Sequence, residues 1–197
     1  MHASMKPGGG MTVVLGGSRN LNTLTEEVLL RLQSWIEREE AFIVGDAPGI
    51  DTVFQAYLKR IGYQNVRVFT SAPELRNNLG GWPVERVLSN LKSRSSAMHS
   101  AKDREMTRIA DEGLMMWDGE SAGTLANVID LAAGGKDAYL YVAPAGELLY
   151  FESGLGLVDW ARDYKEPFDE AEKRLRQYEK RKLKAGQSEA TTETLFD

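Results

Sequence analysis

The sequence predicts an α/β protein with a doubly wound, mainly parallel sheet of about five or more strands and helices on both of its faces. Short apolar runs such as 11–15 (MTVVL) alternate along the chain with segments in which apolar residues recur at helical spacing. Strands that alternate with helices are joined by right-handed crossovers, which make neighbouring strands parallel. Three of the runs also open directly into glycine-rich loops, which is typical of ligand sites at the carboxyl edge of such sheets.

The individual elements follow from local composition. Predicted strands occupy five apolar runs: 11–15, 41–44, 66–69, 114–117 and 138–142. Predicted helices occupy five intervening segments: 25–36, 53–61, 83–91, 98–111 and 125–133. Thr25 suits a helix N-cap and Gly62 a helix stop, whereas 70–82 contains prolines and paired glycines and is predicted as a loop. Segment 147–160 is predicted as a further strand or hairpin with a short packing segment.

The chain is predicted to hold one domain, 11–163, and three flanking segments. Residues 1–10 contain no apolar signal core and indicate a flexible leader. Residues 164–184 predict a strongly charged helix with a narrow apolar stripe at Phe168, Ala171, Leu175 and Tyr178. Such a stripe pairs with another copy of the chain or packs on the domain, and the second arrangement is favoured. Residues 185–197 are polar and predict a disordered tail.

Composition narrows the class of protein. At 197 residues the chain is long enough for one α/β domain with its own core, and its net charge of −5 disfavours a general nucleic-acid binder. The absence of cysteine excludes disulfides and thiolate ligands, and two histidines are too few for a histidine-rich metal site. No apolar run reaches transmembrane length. We therefore expect a cytoplasmic protein with no metal, cofactor or membrane partner.

The three glycine-rich loops predict a small-molecule site. They are GGSRN at 16–20, GDAPGID at 45–51 and DGESAGT at 118–124, each directly after a predicted strand. Backbone approaches a phosphate or a sugar closely only where side chains are absent, and a helix that starts after such a loop presents free N–H groups. None of the loops is a Walker loop or a full G-x-G-x-x-G fingerprint, which disfavours ATP hydrolysis and NAD-dependent dehydrogenation.

The polar residues of these loops suggest roles in recognition. Hydroxyls of Ser18 and Thr124 and the guanidinium of Arg19 suit phosphate oxygens. Carboxylates after the strands suit ribose hydroxyls or a base, namely Asp46, Asp51 and Asp118. Asp51 is equally well interpreted as a helix cap, and Trp117 is favoured as a core residue over a stacking platform. The basic segment 76–108 predicts either a local positive field for an anionic ligand or a solvated face.

These motifs resemble the SLOG superfamily of Rossmann-like ligand-binding domains, most closely its YspA/YpsA-related branch. The resemblance rests on Lys102–Asn127 (KDREMTRIADEGLMMWDGESAGTLAN) and on GGSR in the first loop. The second loop, GDAPGID, resembles a motif shared with DNA-processing protein A. The resemblance implies a crevice for nucleotides or nucleotide-derived ligands and, in several relatives, a homodimer. Related phosphoribohydrolases carry a glutamate where this chain has Asn127 and an arginine where it has Lys102, and asparagine cannot act as a general acid or base.

We therefore expect a protein that binds a nucleotide or a nucleotide-derived phosphorylated ligand in a Rossmann-like crevice and acts as a sensor. One alternative is a nucleotide N-glycosidase or phosphoribohydrolase-like hydrolase with Asp46, Asp118 or Glu120 as acid or base, and another is a single-stranded DNA-binding module. No catalytic residue is assigned. The candidate ligand-binding residues are Gly16, Gly17, Ser18, Arg19, Gly45, Asp46, Gly49, Asp51, Lys102, Arg104, Asp118, Gly119, Ser121, Gly123, Thr124 and Asn127.

Overall fold

A computed structural model of the chain describes residues 10–87 and 96–193. The strands are β1 (Thr12–Gly17), β2 (Ala41–Gly45), β3 (Val66–Thr70), β4 (Val84–Arg86), β5 (Glu112–Trp117), β6 (Asp137–Val142) and β7 (Glu147–Phe151). The helices are α1 (Glu26–Glu37), α2 (Ile50–Arg60), α3 (Ser96–Ile109), α4 (Ala122–Ala133), α5 (Leu157–Ala161) and α6 (Lys165–Glu193), with a short 3-10 turn at Glu152–Gly154. The predicted leader at 1–9 and the last four residues lie outside the described ranges.

The strands form one sheet in the order β4-β3-β2-β1-β5-β6-β7. All neighbouring pairs are parallel except β6 and β7, which are antiparallel. The chain moves outward in one direction from β1 to β4 and then returns to the other side of β1 with β5. This is the doubly wound, Rossmann-like arrangement, so the predicted fold class is confirmed.

Helices cover both faces of the sheet, and each face has its own core. The side chains of β5 alternate between the two cores: Leu114 and Met116 pack in the cluster with α1 and α2. Met115 and Trp117 point to the opposite face and pack with α4, α5 and α6. Central strands buried on both faces explain why the predicted strands read as continuous apolar runs rather than as alternating ones.

The prediction of a helix over 83–91 is wrong where the structure describes it. Val84–Arg86 is strand β4, which pairs in parallel with β3 and places Val84 opposite Val68. The Val68 N–H donates to the Pro83 carbonyl at 2.9 Å, and the Val87 N–H donates to the Thr70 carbonyl at 2.9 Å. An edge pairing with a distant strand overrides the weak local helical pattern here. Residues 88–91 of that prediction lie outside the described ranges.

The charged C-terminal helix packs on the domain, as expected. Phe168 and Ala171 are buried, and Leu175 packs against the same core cluster, in contact with α3 and α4. The helix does not stop near 184: α6 continues to Glu193, so the segment predicted to be disordered from 185 is helical over most of its length. Residues 185–193 include two alanines, two glutamates and a glutamine, which favour a helix, and they contain no proline.

Among the described residues, none of the helices combines the length and the apolar character that crossing a bilayer requires.

Candidate functional site

A cleft of about 710 Å³ lies at the carboxyl edge of the sheet, between the loops that follow β1 and β5. These two strands are neighbours, yet their connections leave toward opposite faces, so their following loops diverge and leave room between them. Residues of α2, α3, α4 and α6 complete the walls. The three glycine-rich loops predicted this position.

The structure brings most of the predicted ligand-binding residues into the wall of this cleft. Those in the lining are Gly16, Gly17, Ser18, Arg19, Asp51, Lys102, Arg104, Asp118, Ser121, Gly123, Thr124 and Asn127. Four predicted residues are not part of the lining: Gly45, Asp46, Gly49 and Gly119. Several of the side chains that line the cleft are hydrogen-bonded or ion-paired within the protein, however, and are not available to a ligand.

Asp118 connects the loop after β1 to the loop after β5. Its Oδ2 accepts hydrogen bonds from the Ser18 hydroxyl at 2.5 Å and the Asn20 side-chain amide at 2.8 Å. Its Oδ1 accepts from the backbone N–H groups of Glu120 at 3.1 Å and Ser121 at 2.8 Å. Burial alone would raise the pKa of Asp118, but the hydrogen bonds outweigh it and hold the pKa below its ordinary value. Asp118 is therefore a fixed anion that orders two loops, and the Ser18 hydroxyl is committed to it.

The N-terminus of α4 is capped by its own loop. The Ser121 hydroxyl accepts from the Thr124 N–H at 3.5 Å and from the Thr124 hydroxyl at 3.1 Å. The indole N–H of Trp117, a buried core residue as favoured above, donates to the Ser121 carbonyl at 3.1 Å. The backbone N–H groups of Ala122 and Gly123 find no acceptor in the part of the chain that the structure describes. These two amides carry the positive end of the helix dipole at the edge of the cleft.

Arg104 joins α3 to α4. Its Nη1 donates to the Ala126 carbonyl at 3.1 Å and pairs with Asp130 at 3.0 Å, and its Nη2 donates to the Asn127 side-chain oxygen. The Asn127 side-chain amide donates to no group among the described residues. Arg104 therefore shapes the wall, and Asn127 retains a donor there.

Asp46 forms an ion pair with Arg76 outside the lining of the cleft. It is fully buried and accepts from the Thr70 hydroxyl at 2.7 Å and from Arg76 Nε at 3.1 Å. Burial would raise the pKa of Asp46, but hydrogen bonds from Arg76 and Thr70 and the nearby Lys102 ammonium lower it below its ordinary value. Arg76 lies in the predicted loop 70–82, and its position in the sequence carries no signal of this pairing.

Lys102 and Asp51 form the floor of the cleft. The Lys102 ammonium lies 3.8 Å from Asp46 Oδ1, 3.8 Å from Asp51 Oδ2 and 3.6 Å from Asp103 Oδ1. Burial raises the pKa of Asp51 to about 6, although Lys102 acts in the opposite direction. The alternative interpretation of Asp51 as a helix cap is wrong, since the N-cap of α2 is Gly49 and Asp51 Oδ2 accepts from the Ala47 N–H at 3.3 Å.

Two glycines of the second loop allow this floor to form. A Cβ on Gly45 would overlap both Asp51 Oδ2 and Lys102 Nζ, so the ion pair occupies the space of the missing side chain. Gly49 has a φ of +85° and packs against the backbone of Arg19, where a Cβ would overlap main-chain atoms. The second loop therefore contributes space and close packing, while the carboxylate of Asp51 reaches the cleft from the first turn of α2.

The C-terminal helix supplies a wall that the sequence did not assign to the site. Arg174, Leu175 and Tyr178 of α6 line the cleft. Arg174 Nη1 would lie 3.2 Å from a Cβ on Gly123, and its Nε donates to Glu170 at 3.3 Å. The apolar stripe at Leu175 and Tyr178 indicated which face of α6 is turned inward, and that stripe is the signal that pointed toward Arg174.

The basic segment 76–108 contributes less free charge than its composition suggests. Arg76 pairs with Asp46, and Arg108 pairs with Glu105 at 2.7 Å on the surface. Lys102 and Arg104 line the cleft, but both are surrounded by carboxylates or carbonyls. Within the described part of this segment, the cations therefore balance nearby acids as much as they attract a ligand.

No group of three or more histidine, cysteine or acidic side chains is arranged to hold a metal ion in the described residues. No protein-family model, curated protein or solved structure matches the chain. The resemblance to the SLOG superfamily therefore stays a prediction made from the motifs.

Proposed function

We propose that the cleft binds a nucleotide or a nucleotide-derived phosphorylated ligand and that the protein acts as a sensor of it. The observation that carries this proposal is the position of the cleft at the switch point between β1 and β5, next to two amides of α4 that have no acceptor among the described residues. The same proposal includes the cytoplasmic location expected from the composition and the homodimer implied by the family resemblance.

The edge of the cleft near α4 supports the phosphate part of the proposal. Arg174 lies against Gly123 in the first turn of α4, and Arg19 lines the cleft from the loop after β1. Two guanidinium groups and a helix N-terminus provide donors and positive charge for an anion. The Ser18 hydroxyl donates to Asp118 and the Thr124 hydroxyl donates to Ser121, so backbone amides and these arginines replace the two hydroxyls in the proposed phosphate role.

A thermal-shift panel tests the proposal. Nucleoside monophosphates, ADP-ribose and ribose 5-phosphate are added to the purified protein, with inorganic phosphate as the control for simple charge effects. The proposal predicts a rise in melting temperature with at least one nucleotide-like compound that exceeds the rise with phosphate. The absence of stabilisation by the whole panel contradicts it.

A second candidate function, hydrolysis of a nucleotide-like substrate, is favoured by one observation. Asp51 lies in the cleft with a pKa of about 6, which suits a general acid or base near neutral pH. Asp46 and Asp118 do not suit that role, because hydrogen bonds and ion pairs hold their pKa values low. Product formation from the same panel, measured by chromatography and lost in Asp51→Asn, would support hydrolysis; intact compounds after long incubation would exclude it.

A further inference from the structure

On the floor of the cleft, one acceptor of Asp51 and the donors of the neighbouring Lys102 have no hydrogen-bond partner among the described residues. Asp51 is only 7% exposed, and its Oδ1 accepts from no donor among the described residues, whereas Oδ2 accepts from the Ala47 N–H. The Lys102 ammonium is likewise buried, and it makes ion pairs at 3.6–3.8 Å but no hydrogen bond with a described group. Both residues line the cleft. Buried polar groups in this state gain most from a ligand that completes their hydrogen bonds.

The charge of the floor selects against a phosphate. Among the described residues, one ammonium faces the carboxylates of Asp46, Asp51 and Asp103, and only Asp46 has a second cation, Arg76. A phosphate placed next to Asp51 would meet like charge at close range, which is costly in a site shielded from water. A neutral group that offers a donor beside an acceptor meets no such penalty.

We propose that this floor holds the sugar end of the ligand, with one hydroxyl of a vicinal diol donating to Asp51 Oδ1 and the neighbouring oxygen accepting from Lys102 Nζ. The inference rests on the proposed function and adds an orientation to it: the diol lies on the floor and the phosphate at the edge near α4. A hydroxyl is a donor and an acceptor at once, so a diol satisfies both groups without introducing charge.

The environment of Asp51 supports this assignment. Its pKa of about 6 reflects the loss of hydration, and a hydroxyl donor would replace part of that hydration. Asp46 and Asp118 cannot serve instead, because Arg76, Thr70, Ser18 and Asn20 already satisfy their oxygens. Of the three carboxylates that sequence reasoning proposed for a ribose, Asp51 is thus the one in the cleft with an oxygen that accepts from no described residue.

Titration calorimetry with AMP, GMP, CMP and UMP and with their 2′-deoxy and 3′-deoxy counterparts tests the assignment. Removal of a hydroxyl that donates to Asp51 should weaken binding about tenfold to a hundredfold, the usual range for a hydrogen bond to a charged group. Asp51→Asn should weaken binding of the ribonucleotide and reduce its dependence on that hydroxyl, because a neutral amide oxygen accepts a weaker hydrogen bond than a carboxylate. The control Asp169→Asn, an exposed position on α6, should bind like the wild type. Comparison of the deoxy ligands on the wild-type protein requires no variant to fold.

The outcomes separate the two proposals. If no member of the panel binds, the proposed function fails. If a ribonucleotide binds and both deoxy forms bind equally well, the nucleotide function survives and the diol assignment is overturned. If the Asp51→Asn deficit depends on which base is present rather than on the hydroxyls, the floor holds a base edge and the assignment is again overturned.

Discussion

Replacement of Asp51 by asparagine should stabilise the protein at neutral pH. The carboxyl is buried on the floor of the cleft, and its pKa is raised to about 6 from an ordinary value of 3.8. A raised native pKa means that the folded protein holds this proton more tightly than the unfolded chain. The free energy of unfolding therefore falls as the pH rises from 3.8 to about 6, and the loss is complete above about 6. Asparagine resembles the protonated form and carries no such penalty.

The size of the effect follows from the same two pKa values. The difference between about 6 and 3.8, at about 1.36 kcal/mol per pH unit, is about 3 kcal/mol. At about pH 7.5 the whole of this free energy separates the two proteins, and near pH 4 less than about 1 kcal/mol of it remains. The Lys102 ammonium keeps two carboxylate neighbours in the variant, Asp46 and Asp103, so it is not left unpaired.

Urea denaturation of both proteins at several pH values between about 4 and 7.5 measures this difference. Asp169→Asn serves as the control, because this exposed substitution removes the same charge without changing the buried floor. The expected result is a difference in the free energy of unfolding that grows from less than about 1 kcal/mol to about 3 kcal/mol as the pH rises. A variant less stable than the wild type at about pH 7.5 would refute the reasoning, since the ionised carboxylate beside Lys102 would then stabilise the fold.

Three further predictions concern the walls of the cleft. Arg174→Ala should weaken binding of a nucleoside monophosphate about threefold to tenfold and reduce the salt dependence of binding. The control is Arg176→Ala on the same helix, where the arginine pairs with Glu172 at 3.1 Å, and it should have no such effect. Equal losses in the two variants would contradict the role of Arg174. Asp118→Asn keeps an oxygen for the loop amides but loses the second acceptor, which serves Ser18 and Asn20. Urea denaturation should therefore show a free energy of unfolding lower by about 1–3 kcal/mol. An unchanged midpoint would disprove the tethering of the loops. Gly45→Ala should displace Asp51 and Lys102 and reduce the difference in the free energy of unfolding between proteins with and without Asp51→Asn. Repetition of the pH series in the Gly45→Ala background measures this change. An unchanged difference would show that the floor tolerates a Cβ.

Local sequence patterns are sufficient to predict the strands of the sheet other than β4 and the position of the cleft. Ser18 and Asp118 lie a hundred residues apart and meet at 2.5 Å, because each follows a parallel strand of the same sheet edge. That meeting depends only on the order of strands and on the rule that loops after parallel strands share an edge. Strand-to-loop transitions are therefore a reliable guide to which residues assemble.

Chemical availability of those residues was not predictable, because it depends on tertiary partners. The hydroxyl of Ser18 was expected to bind phosphate, yet Asp118 occupies it. Arg104 lines the cleft, but the guanidinium that was expected to bind the ligand pairs with Asp130 on α4. Strand β4 and the wall formed by Arg174 escaped prediction for the same reason, since an edge pairing and a helix packing on the domain are set by distant surfaces.

The network around Asp118 has a consequence for the kinetics and entropy of binding. Because the loops after β1 and β5 are fastened to each other by hydrogen bonds, their conformational entropy is lost during folding rather than on association. A ligand that enters such a rigid cleft needs no loop rearrangement, so its association should be fast and limited by diffusion and orientation. Differences in affinity among ligands should then appear as differences in residence time, because the cleft is the same before and after each one arrives.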